Sequence, residues 1–115
     1  PFNGVFITHA HIGHYTGLMF LGKEALDAKN IIVYVMKRMS DFLRNNGPWS
    51  QLVDDSNIKL VQLSNNESIR ISKNLSVRPV LVPHRDEFSE TVGYFIQGQN
   101  KTAFFLPVHR INTLV

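Results

Sequence analysis

The run Ile31-Ile32-Val33-Tyr34-Val35-Met36 is the longest uninterrupted apolar stretch in the chain. Its β-branched residues favour a strand over a helix, because their stiff side chains fit a pleated surface better than a helical turn. It is far shorter than the roughly 18 residues that suggest a membrane span. A short apolar strand of this kind has to be buried, so the chain must supply layers to cover it. A second such segment, Val5-Phe6-Ile7-Thr8, lies upstream. Between the two, Thr16 offers a helix N-cap, and Leu18, Leu21, Ala25 and Leu26 recur at helical spacing. The spacing predicts a helix over 16–28, ended by Lys29-Asn30. Strand, helix, strand in that order predicts parallel pairing through a crossover.

Beyond this unit, a short helix beginning at Ser40-Asp41 or just before carries Phe42 and Leu43, and Gly47-Pro48 stops it. The Trp49 segment reads as a loop or a turn of helix. From Ile58 onward the pattern changes to strands, at 58–63, 68–72, 75–82, 91–97 and 101–106. Asn65-Asn66, Lys73-Asn74 and Gly98-Gln99-Asn100 supply the turns. A helix-bearing first part and a strand meander after it predict a layered α/β arrangement.

The chain has 115 residues, room for a single domain over 1–115. At 43% hydrophobic and 18% charged residues it has enough apolar surface for a core. Net charge is +3, yet no basic run exceeds the pair Lys37-Arg38. Scattered bases do not make a phosphate-tracking stripe, so nucleic acid is not an expected partner. No membrane partner is expected either. Cysteine is absent, which excludes disulfides, thiolate ligands and a cysteine nucleophile and leaves a metal site only His, Asp and Glu. With no export pattern, the default expectation is a cytoplasmic protein. The chain opens on Pro1-Phe2-Asn3-Gly4 and enters a strand almost at once, so the expectation is a piece of a longer protein.

Three of the five histidines fall within Thr8-His9-Ala10-His11-Ile12-Gly13-His14-Tyr15-Thr16-Gly17-Leu18. They follow a buried strand and precede a helical segment, where open α/β sheets place their ligand sites. His9 and His11, two residues apart on extended chain, can project to the same side and converge on one cation. Zinc takes imidazole nitrogen at about 2.0–2.1 Å, and catalytic sites keep three protein ligands with a fourth position open for water. The candidate third ligand is His84, at a strand end in Val82-Pro83-His84-Arg85-Asp86-Glu87. Such a zinc brings the pKa of its water to about 7, which makes hydrolysis of an ester, amide or phosphoester the natural reaction class.

His-x-His-x-x-His between a buried strand and a helix resembles the signature of the metallo-β-lactamase superfamily. The longer run from His9 to Met19 resembles a subgroup labelled as similar to pyrroloquinoline quinone biosynthesis protein B. The segment from Val82 to Glu87, followed by Glu90-Thr91-Val92-Gly93-Tyr94, resembles that superfamily's next histidine ligand and the strand after it. The resemblance implies a partial αββα sandwich, about one half of the full fold. It implies a first metal site of His9, His11 and His84, with His14 belonging to a second. The family's Asp would stand at position 13, where this chain has Gly13, and its Leu-Pro-Asp is here Leu106-Pro107-Val108-His109-Arg110. Without those carboxylates the expectation is one metal at most, with His109 as a substitute ligand.

Each motif also has a plain structural reading. His14 can hydrogen-bond backbone at the helix start, Gly13 and Gly17 can serve turn geometry, and Arg85, Asp86 and Glu87 can form a solvated turn. Two functional expectations follow. The first is a metal-dependent hydrolase of an unspecified small molecule, using zinc, or iron or manganese. The second is a truncated or degenerate scaffold that binds metal or self-associates without catalysis. A half-fold leaves sheet edges and an apolar face open, so a homo-oligomer is expected.

Overall fold

Successive residues of the 31–35 run face opposite ways, and each face meets a layer of its own. The structure is a computed structural model that describes residues 4–107. The run forms β2 (Ile31–Val35), the centre of a parallel sheet between β1 (Gly4–Phe6) and β3 (Ile58–Gln62). Val33 and Val35 are fully buried against a helical layer that contributes Leu18, Leu21, Met39, Leu43 and Leu52. Tyr34 faces the other way and stacks on Phe6 with ring centroids 4.3 Å apart. Phe6 and Tyr34 pack against a second core with Val77, Val92 and Tyr94.

That second core belongs to an antiparallel sheet of β4 (Ile69–Ser72), β5 (Leu75–Leu81), β6 (Val92–Gln97) and β7 (Thr102–Phe105), paired in chain order. The layers are therefore helices, parallel sheet and antiparallel sheet. The helical layer holds a 3-10 helix (Thr16–Leu21), α1 (Lys37–Asn45) and α2 (Trp49–Asp54). No helix among the described residues is long and apolar enough to cross a membrane.

The expected helix over 16–28 is a correction. Only Thr16–Leu21 is helical, with 3-10 geometry, and Leu18 and Leu21 are buried. The amide of Gly22 closes the segment on Met19 O, and Gly22 O then accepts from Ala25 N and Asp27 N at 3.0 and 2.8 Å. A Cβ at Gly22 would meet Leu52 Cδ2 at 3.1 Å, so the glycine lets α2 approach closely. Asp27 and Asn30 take left-handed φ values of 47° and 55°, which end any continuing helix. Asn57 fixes this path by donating from Nδ2 to Ala28 O at 2.8 Å and Asp27 Oδ1 at 3.1 Å. Ala25 and Leu26, expected in the core, are exposed as a result.

The short helix begins at Lys37, ahead of Ser40, and the Trp49 segment forms α2. On the antiparallel sheet, buried Tyr94 pairs with Phe105, and two residues along β6 Ile96 pairs with Ala103. Ile96 and Phe105 thus continue the face that carries Tyr94, yet both are exposed. The inner face of this sheet extends past its cover.

Candidate metal centre

The chain continues from β1 in extended form and delivers His9 between the two sheets. Ile7 N donates to Tyr34 O at 3.1 Å, and Tyr94 Oη donates to Ile7 O. Val92 N donates to Thr8 O at 3.1 Å, tying the start of β6 to this segment. Ala10 N donates to Ser89 Oγ at 2.7 Å, and the Ser89 hydroxyl donates to Glu90 O at 2.9 Å. His84 follows β5 at the start of the same loop.

The loop's outer side is held by α1. The Glu90 carboxylate accepts from the amides of Arg38 and Met39, at 2.9 and 3.2 Å. A carboxylate at a helix N-terminus satisfies free donors and complements the helix dipole. Arg38 Nη2 donates to Asp86 O at 2.8 Å, and Arg38 pairs with the Asp86 carboxylate at 3.6 Å. Sequence positions 9 and 84 are thereby brought face to face.

One ring-nitrogen ligand atom from each of His9, His11 and His84 can be chosen so that all three lie within 4.8 Å of one another. His11 Nδ1 and His84 Nε2 are 3.2 Å apart. Two nitrogens bound to one tetrahedral zinc lie about 3.3 Å apart, given bond lengths of about 2.0–2.1 Å. Thr8 Oγ1 sits 2.9 Å from His9 Nδ1, and the tautomer in which Nδ1–H donates to it leaves Nε2 with a lone pair. His11 Nε2 meets Glu87 Oε1 at 2.8 Å, leaving Nδ1 on the His84 side.

The electrostatics suit a cation. His9 is 2% exposed. Burial, followed by the neighbouring His14, His11 and His84, pulls its pKa down to about 4, so at neutral pH it is an uncharged donor. His84 is lowered by burial and then by His11 and Arg85. Glu87 is held below the usual carboxylate range, first by its hydrogen bond from His11, and stays ionised. Imidazole nitrogens converging from two segments fit a divalent ion, with a carboxylate behind one of them.

His14 lies beside His9 but is not one of the three residues whose ring nitrogens converge. It is exposed, its ring centroid lies 4.5 Å from that of His9, and its amide donates to His11 O at 2.9 Å. With Gly13 and Tyr15 it lines a cavity of about 330 Å³ along β1. Gly13 has a φ of 96°, and a Cβ there would meet nothing within 4 Å. His109 lies outside the described residues. Glu87, one of the three adjacent charged residues expected in a solvated turn, meets His11, which is distant in sequence. A carboxylate three residues after a candidate histidine ligand was the available signal.

A family model described as a beta-lactamase superfamily domain matches residues 1–108. The chain belongs to this superfamily. Its structure is a partial metallo-β-lactamase fold. Among solved structures it is similar to Zn(2+)-bound PqqB from Methylobacterium extorquens, with a TM-score of 0.71 and 22% sequence identity. The match covers 91% of this chain and 33% of that chain, so the chain spans about a third of that protein's length. No curated protein matches the sequence.

Ser89 offers a direct test of how the two histidine segments are held together. Ser89→Ala leaves the Ala10 amide without its acceptor, and an unsatisfied buried donor costs about 1–3 kcal/mol. The expected outcome is a lower urea midpoint with an unchanged far-ultraviolet circular dichroism spectrum.

Proposed function

We propose that this superfamily member is the metal-holding portion of a metal-dependent hydrolase, with one divalent ion held by His9, His11 and His84. The convergence of these three imidazoles where the ends of β1 and β5 meet carries the reading. Zinc is the first choice of ion for a nitrogen donor set of three. The same set accepts iron, and manganese more weakly. A bound ion of this kind supplies Lewis acidity and a water ionised near neutral pH, which suits attack on an ester, amide or phosphoester.

Gly13 supports a single site. The position lacks the carboxylate that would help offset a second cation, and its φ of 96° is one that an aspartate rarely adopts.

Elemental analysis of protein purified without chelator tests the reading. The expected result is one equivalent of zinc, iron or manganese per chain, falling to below about a tenth in His11→Ala, as loss of one of three ligands dictates. Hydrolysis of an activated ester or phosphoester should stop on chelation and return with zinc. Less than stoichiometric metal in the unsubstituted protein contradicts the proposal.

A second reading, a self-associating scaffold, is supported by the exposed Ile96 and Phe105 on the face that carries Tyr94. Contiguous apolar surface of this kind favours association. Sedimentation velocity across a concentration series should show a dimer or larger species for that reading, and a monodisperse monomer contradicts it.

A further inference from the structure

Three histidines explain how an ion is held, but they leave the contact between His11 and Glu87 without a role. His11 Nε2 lies 2.8 Å from Glu87 Oε1, although 76 residues separate the two in sequence. We propose that Glu87 is a positioning residue for the metal site. Its carboxylate accepts the Nε2–H of His11, fixing the ring's tautomer and orientation so that Nδ1 is the nitrogen offered to the ion. The inference rests on the reading that His9, His11 and His84 hold a metal.

An imidazole ring gives a metal one nitrogen, and a hydrogen bond at the other nitrogen decides which one. At His11 the two nitrogens have different neighbours, with Nδ1 3.2 Å from His84 Nε2 and Nε2 on the carboxylate. The carboxylate therefore selects the nitrogen on the side of the cluster.

Glu87 is itself held in place. Arg38, at the start of α1, donates from Nη2 to the carbonyls of Asp86 and Glu87 at 2.8 and 3.4 Å. Arg85 Nη1 reaches the second carboxylate oxygen, Glu87 Oε2, at 3.4 Å. The oxygen facing His11 is thus part of a framed loop.

Charge favours the same role. The ligand set is three imidazoles, and position 13 carries Gly13, so the ligands bring no negative charge to a divalent ion. Glu87 adds one negative charge directly behind a ligand, where it raises that ligand's donor strength. An ordinary exposed ion pair with the same distance contributes about 0–1 kcal/mol to stability and leaves metal affinity alone. The Glu87 side chain is 46% exposed, so its removal leaves the core intact.

The test compares Glu87→Ala and Glu87→Gln with the unsubstituted chain. Zinc affinity is measured by competition with a chromophoric chelator, and the His11 tautomer by long-range proton–nitrogen correlation in metal-free protein. Loss of a partner behind a ligand weakens metal binding about 10–100-fold, which is the expected result for Glu87→Ala. Its His11 should change from the Nε2–H form to a mixture. Glu87→Gln keeps an acceptor oxygen without the charge, so it should retain the tautomer and fall between the other two in affinity. Zinc affinity within about twofold of the unsubstituted chain in both variants, as an exposed pair would give, overturns the positioning role. An unsubstituted chain that binds no zinc overturns the metal reading, and the inference with it.

Discussion

Val92 N donates to Thr8 O across 3.1 Å, and through this bond the antiparallel sheet grips the end of the parallel one. Thr8 directly precedes His9, and Val92 begins the strand that follows the loop carrying His84 and Glu87. Tyr94 Oη on Ile7 O and Ser89 Oγ under Ala10 N extend the same seam. Each bond satisfies a backbone group that would otherwise be buried without a partner, so the seam is hard to open locally. His9 and His11 are neighbours in the chain, and this seam brings His84 to them from 73 residues beyond His11.

The helical layer contributes at a distance. Glu90 accepts from the first amides of α1 while Arg38 holds the carbonyls of the loop, so helix start and loop stabilise each other. The buried faces behind them are apolar, with Met39, Leu43, Val33 and Val35 almost wholly removed from water. In such surroundings an imidazole is favoured uncharged, and His9 is the clearest case. Burial, together with the neighbouring His14, His11 and His84, thus keeps His9 uncharged.

Much of this was legible in the sequence because its signals are local. β-Branched runs marked β1, β2 and the strand meander, and a histidine motif at a strand end marked the candidate ligands. The failures are equally physical. Leu18 and Leu21 are three apart, a spacing that suits a 3-10 helix as well as an α-helix, and Gly22 and Asn57 decide against continuation. The start of α1 at Lys37 was hidden because the carboxylate that accepts from its first-turn amides, Glu90, lies far downstream in sequence. The place of Glu87 three residues after His84 was visible in sequence, but its partner His11, 76 positions away, was not. Contacts between distant segments are what one sequence conceals most.

Zinc K-edge X-ray absorption of the metal-loaded chain tests the central claim most directly. The account expects a first shell with three imidazole nitrogens at about 2.0–2.1 Å, visible through the outer-shell scattering of the rings. A shell of oxygen ligands with one imidazole or none contradicts it.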